Sequence, residues 1–325
     1  MPLGHYQPTR PIVDGCGANA MVFPDWLAIH PTVRTALETG RPVVALESTL
    51  ISHGLPWPTN LATAMESEDA IRAAGVTPAT IAVWNGVPTI GLFEHQLREF
   101  ATTAGILKAS RRDLPTAMAK GLHAATTVAA TMFLARQAGI SIFATGGIGG
   151  AHRDSGQDFD ISADLVELAR TPVLVVCAGA KSILDLPRTL EILETLSVPV
   201  VGYQTDLLPG FYLSNVNLPV PARVDDPAMA ARLFMAHRKL GGGGAVLAQS
   251  LPTEVAIDGD EFQGWCEIAE REATEKQVTG ASVTPFLLKR IAELSAGKTL
   301  RANQALIVAN ARLAALVATA LSESE

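Results

Sequence analysis

Short, uninterrupted apolar runs recur along the chain, separated by longer stretches with helical periodicity. The runs are PVVAL (42–46), TIAVW (80–84), ISIFA (140–144), VLVVCA (173–178), VPVVGY (198–203) and AVLA (245–248). Their length and continuous apolar character suit strands covered on both faces. Helices are expected at 60–75, closed by Gly75, at 115–139, at 182–196 with Pro187 as a bend or break, and at 225–244 before a four-glycine stop. Three more are expected at about 261–278, 284–296 and 301–321. The alternation predicts an α/β fold: a mainly parallel central sheet with helices on both faces and a helical C-terminal flank. No internal repeat or long linker divides the chain. Residues 1–22, rich in Gly and Pro, read as a loose arm, and 23–325 as one α/β domain.

Composition narrows the function classes. Of 325 residues 48% are hydrophobic, enough for a substantial core. The net charge is −7, and the densest basic pair, Arg111-Arg112, is too short to argue for nucleic acid. No apolar stretch reaches the length of a membrane span; 122–135 is interrupted by His123 and several threonines and reads as a buried helix. Three scattered cysteines, Cys16, Cys177 and Cys266, form neither a disulfide framework nor a zinc pattern. A cytoplasmic protein with reduced thiols is expected.

The chemistry gathers where the strands end. Glu47-Ser48-Thr49, Asn85-Gly86, Thr145-Gly146-Gly147, Lys181-Ser182, Gln204-Thr205 and Gln249-Ser250 each follow an apolar run. In open α/β sheets, ligands bind at the carboxyl ends of strands. Lys181 follows VLVVCAGA, and small residues beside it leave room for a substrate. An amine kept neutral by an apolar setting can attack a carbonyl to give a Schiff base; the plainer alternative is a lysine that snorkels to the surface. Glu47 is a candidate general acid or base, or one half of a structural ion pair. ATGGIGGAHR (144–153) matches neither a Walker loop nor a dinucleotide fingerprint, yet allows close backbone approach to a ligand.

Further along, FDISADLVEL opens a helix, with Asp160 as a candidate N-cap. Asp160 and Asp164, four apart, are expected to share a face that can hold a hard cation, and the N–H groups of Ser162, Ala163 and Asp164 suit a phosphate. Lys108, Arg111 and Arg112 in LKASRRDLP form either a solvated loop or a phosphate contact. Thr126, Thr127 and Thr131 are expected within an apolar helix.

Seven motifs in order, ALESTLISHGLPWPTN, SRRDLP, ATTVAATM, FATGGIGGAHR, FDISADL, VVCAGAKSILDL and TPFLLKRIAEL, together resemble the pseudouridine-5′-phosphate glycosidase family. The resemblance runs from about Pro42 to Ala314. It implies reversible cleavage of the C–C glycosidic bond of pseudouridine 5′-phosphate to uracil and ribose 5-phosphate. It implies Lys181 as the imine-forming nucleophile, Glu47 as proton donor and Asp160 as the metal residue for one largely water-coordinated Mn²⁺ per subunit. Lys108, Val128, Ser162, Ala163 and Asp164, and with them Thr145, His152 and Asn303, are implied to contact substrate. A homo-oligomer is implied, a trimer in particular. The expected partner is this small molecule, with neither nucleic acid nor membrane.

Three segments depart from the family pattern: Gln249-Ser250-Leu251-Pro252 where Asn-Pro-Ile-Pro is usual, Asn85-Gly86 where Gly-Gly is common, and the shortened EFATTAGILKAS around Lys108. They keep two alternatives open. One is a glycosidase or synthase for another C-ribosyl phosphate; the other is a sugar-phosphate sensor that binds without turnover. Retention of Glu47, Asp160 and Lys181 together argues against the sensor.

Overall fold

A computed structural model describes residues 22–152, 159–213, 216–278 and 283–324; the arm expected before residue 22, and Arg153, lie outside them. Among the described residues, eleven strands join one sheet. They are β1 (Ala28–Ile29), β2 (Val43–Leu46), β3 (Thr77–Trp84), β4 (Val87–Ile90), β5 (Leu107–Ala109), β6 (Ala124–Thr126), β7 (Ile142–Ala144), β8 (Leu174–Cys177), β9 (Val200–Tyr203), β10 (Ala222–Val224) and β11 (Ala245–Gln249). The order is β1-β4-β3-β2-β7-β8-β11-β9-β10, and β6 pairs with β3 and β5 off this path. From β3 through β2 to β10 every pairing is parallel, while β4 and β6 run antiparallel to β3.

The side-chain alternation of a strand explains the layers. Val43 and Ala45 of β2 enter one apolar core, which also holds Leu134 and Leu168. Val44 and Leu46 enter the opposite one, with Phe234 and Val317. Helices therefore cover both faces, as continuous apolar strands require. Among the described residues one helix, Lys298–Ser322, is long and apolar enough to cross a membrane. Its Ala311, Ala314, Val317 and Leu321 are instead buried in the second core.

Several local expectations change. The single helix expected over 115–139 is a helix at Leu114–Ala119, then β6, then a helix at Val128–Gln137. Thr126 is therefore a strand residue. Its hydroxyl donates to the Ile81 carbonyl at 2.6 Å, and the Thr131 hydroxyl donates to Thr126 Oγ1 at 2.9 Å. Thr127 caps the following helix. Pro187 neither bends nor breaks a helix: it lies in the first turn of Leu186–Thr195, where its missing N–H costs nothing. Ser162, rather than Asp160, is the N-cap of the helix Ala163–Arg170, and its hydroxyl accepts from the Asp164 N–H at 3.2 Å. Asp160 precedes that helix, so it shares no helical face with Asp164.

Asp164 has a different task. One carboxylate oxygen accepts the Ala129 N–H and the other the Gly149 N–H, each at 2.9 Å. The buried carboxylate thus clips three segments together: its own helix, the start of Val128–Gln137, and the glycine loop. Gly149 makes the approach feasible, since a Cβ there would lie 2.8 Å from Asp164 Oδ2.

We expect Asp164→Asn to destabilise the fold by about 1–3 kcal/mol, because the new amide N–H would face a buried backbone N–H. Urea denaturation followed by circular dichroism measures it. An unchanged midpoint contradicts the clip.

Candidate active site

β2, β7 and β8 are parallel neighbours, so their carboxyl ends open on the same edge of the sheet. Glu47 follows β2, Thr145-Gly146-Gly147 follows β7, and Lys181 stands four residues beyond β8. Glu47, Gly146, Gly147 and Lys181, joined by Lys108 from β5, line one cavity of about 60 Å³. Lys108 arrives because β5 lies on β6, and β6 is tied to the end of β2: Ser48 Oγ accepts the Thr126 N–H at 2.8 Å and the Thr49 hydroxyl donates to the Thr126 carbonyl at 2.7 Å.

The lysine is held by the backbone. Its N–H donates to the Ile148 carbonyl at 3.1 Å, and the Ile148 N–H donates to the Gly179 carbonyl at 3.1 Å. The glycine-rich stretch after β7 is therefore an extra pairing partner for the turn after β8. Gly179 sits at φ +83°, in the left-handed region, and a Cβ there would clash with the Pro209 carbonyl oxygen. On the other side the Asn310 side-chain amide donates to the Thr145 carbonyl at 2.9 Å. The Thr145 hydroxyl in turn donates to Glu47 Oε1.

Burial is the main influence on both flanking charges. It raises the Glu47 carboxyl above its ordinary value, partly offset by the Lys181 charge and by the Thr145 hydrogen bond, with Asp164 adding to the rise and Lys108 opposing it. Burial lowers the Lys108 amine, the nearby Lys181 charge lowers it further, and Glu47 and Asp164 pull the other way. The cavity thus favours a protonated carboxyl beside an amine that gives up its proton readily.

The other expected residues divide. Asn303 lines the cavity wall, buried and 7% exposed. His152 meets the cavity through Thr284, whose hydroxyl lies 3.3 Å from His152 Nε2. Asp160, partly exposed, has its carboxylate 3.9 Å from the same imidazole nitrogen. Val128, Ser162, Ala163 and Asp164 cluster at two helix starts joined by the Asp164 clip rather than along the cavity wall. The Ser162 N–H is given to the Gly150 carbonyl and the Asp164 N–H to Ser162, so those two expected phosphate donors are engaged.

Arg111 is not available as a phosphate contact either. It pairs with the buried Glu167 at 3.0 Å and stacks on Phe133. Three of the six polar strand ends reach the cavity. Asn85-Gly86 instead forms the β3–β4 turn, where the Gly86 N–H bonds the Leu122 carbonyl at 2.9 Å. Thr205 is engaged by Leu207, and Gln249-Ser250 is absent from the cavity wall. These two departures from the family pattern thus lie off this cavity, whereas the third carries Lys108 on its wall.

Thr49, from the polar end of β2, also lines the wall, and His53, Phe211, Thr284, Pro285 and Leu288 complete much of it without having been singled out as site residues in the sequence. His53 lay within the ALESTLISHGLP motif, six residues past Glu47. Thr284, Pro285 and Leu288 lay within the TPFLLKRIAEL motif, on a helix distant in sequence from the other wall residues.

Comparison with known proteins places the chain in a family. The model of the indigoidine synthase A like protein family matches residues 32–320. A pseudouridine-5′-phosphate glycosidase of Herpetosiphon aurantiacus is 52% identical over 299 residues, covering 92% of this chain and 99% of the relative. Among solved structures, the prealnumycin C-glycosynthase AlnA in complex with ribulose 5-phosphate is 39% identical with a TM-score of 0.86, covering 93% of this chain and 98% of that one. An indigoidine synthase A-like protein from Thermotoga maritima is 33% identical with a TM-score of 0.83, covering 96% and 99%. The chain is an enzyme of the indigoidine synthase A-like family, and belongs with its pseudouridine-5′-phosphate glycosidases.

Proposed function

We propose that this enzyme reversibly cleaves the C–C glycosidic bond of pseudouridine 5′-phosphate, giving uracil and ribose 5-phosphate. The observation that carries the reading is the shared cavity of Lys181 and Glu47, with the carboxyl biased toward its acid form. The relatives' names supply the substrate.

A C–C glycoside has no leaving oxygen or nitrogen to protonate, so the two-carboxylate chemistry of ordinary glycosidases is a poor fit. Lys181 attack at the anomeric carbon opens the ribose ring and leaves a nitrogen beside the bond to be broken. Glu47 then gives its proton to the uracil carbon. The electron pair of the C–C bond stays with uracil, and the sugar carbon becomes an iminium with Lys181. Hydrolysis of that iminium frees the lysine and ribose 5-phosphate. Lys108, on the cavity wall, offers its positive charge to the phosphate; Val128, Ser162, Ala163 and Asp164 stand behind that wall and shape it through the Asp164 clip.

Asp160 suits one Mn²⁺. Its carboxylate is a hard oxygen donor with an accessible edge. Among the described residues no set of three His, Cys, Asp or Glu side chains comes together, which fits a cation completed by water. Bound there, Mn²⁺ would supply positive charge toward the phosphorylated substrate. We assign the active form to a cytoplasmic homotrimer; exposed Phe159, Ile161 and Val166 give the apolar surface that assembly needs. The C-glycosynthase neighbour keeps a second reading in view, in which another C-ribosyl phosphate is made or cleaved.

Three outcomes are expected of the purified protein with Mn²⁺ and pseudouridine 5′-phosphate. Lys181→Ala loses uracil release, followed by chromatography, and Glu47→Gln lowers kcat by about 10²–10⁴-fold; activity in a folded Lys181→Ala protein sinks the proposal. The second concerns pH. Glu47 acts as an acid, so kcat/KM falls as pH rises through its raised value. Because the Thr145 hydroxyl stabilises the carboxylate, Thr145→Val moves that alkaline limb to higher pH. A limb that moves down, or stays, removes Glu47 from this role. Third, Asp160→Asn weakens Mn²⁺ binding measured by calorimetry; unchanged affinity places the metal elsewhere.

A further inference from the structure

The cavity at Lys181 adjoins a larger one of about 620 Å³. The two share five wall residues: His53, Gly54, Pro285, Leu288 and Asn303. Of these only His53 can take up a proton near neutral pH. The larger space is walled mainly by apolar groups, among them Leu55, Pro56 and Leu300, and its size is that of a ligand site. His53 stands on the wall that the two spaces share.

His53 occupies the π-helical turn Leu50–Gly54 that begins three residues after Glu47. Such turns are rare and frequent at functional sites. The imidazole bonds the Ile106 backbone and faces the Lys108 amine. Burial and the Lys108 charge push it below its ordinary value, against the Ile106 hydrogen bond, and so favour the neutral imidazole. One ring nitrogen donates to the carbonyl, and the other is left as an acceptor.

The reaction proposed above needs a base at this place. Once uracil has left, water must reach the iminium carbon from the open side. Glu47 lies at the end of β2, held by Thr145, and has served the departing base. We propose that His53 is a further catalytic residue, the base that takes a proton from the water hydrolysing the Lys181 iminium. This rests on the lysine-imine reading. The water oxygen bonds to the sugar carbon, its proton passes to His53, and the C=N electron pair moves to nitrogen. His53 returns the proton to that nitrogen. The carbinol O–H then releases its proton as the C–N bond breaks toward nitrogen and the aldehyde C=O forms, and the freed amine takes up that proton. His53 ends unchanged.

Rapid-quench measurement of uracil tests this in full-length protein with Mn²⁺ and pseudouridine 5′-phosphate. Uracil leaves before water adds, so a hydrolysis defect spares the first turnover. His53→Asn is expected to give a burst approaching one uracil per active site, followed by a steady rate lower by about 10²-fold. Cyanoborohydride should trap most of its chains as the ribose phosphate adduct. In His53→Ala, added imidazole should restore the steady rate while leaving the burst rate unchanged. A burst and steady rate that fall together without adduct, or a steady rate that is unchanged, overturns the role of His53. Wild-type protein that releases uracil but yields no trapped adduct overturns the imine reading itself.

Discussion

Two backbone hydrogen bonds, Lys181 N–H to the Ile148 carbonyl and Ile148 N–H to the Gly179 carbonyl, hold the site in register. They continue the β7–β8 pairing past the ends of the strands. Without that continuation the lysine would ride on a free turn. With it, the amine is fixed against the neighbouring strand end, where Thr145 holds Glu47. The glycines between them keep side chains out of the space the two strands share. Asp164 closes the same loop from below through Gly149, so a buried carboxylate that never faces the cavity still shapes it.

Sequence periodicity made much of this legible. Continuous apolar runs marked the parallel central strands, and the polar residues at their ends located Glu47, Thr145 and Lys181. The pattern failed where short elements obey tertiary rather than local preference. HAATT reads as helix by composition, yet Ala124–Thr126 pairs with β3 and β5 as β6, because Ser48 and Thr49 offer its backbone partners from across the sheet. Asp160 looked like an N-cap, but Ser162 supplies the oxygen at the right distance. Arg111 looked like a free cation until Glu167, from another helix, was placed beside it. Each of these depends on partners dozens of residues away, to which local spacing is blind.

Gathering these charges at a buried strand end costs stability. A buried carboxyl whose acid form is favoured stands with two amines in one small space. The fold sustains this cost because the surrounding cores are dense and almost wholly aliphatic, with polar groups such as Asn310 and Thr126 fully engaged.

Two lysines line the same cavity, and the imine reading requires that Lys181 be the one that bonds to the sugar. The most direct measurement is peptide mapping by mass spectrometry after cyanoborohydride treatment of the enzyme with ribose 5-phosphate and Mn²⁺. The account predicts one reduced adduct, on the peptide carrying Lys181, with Lys108 unmodified. An adduct on Lys108 in its place would contradict it.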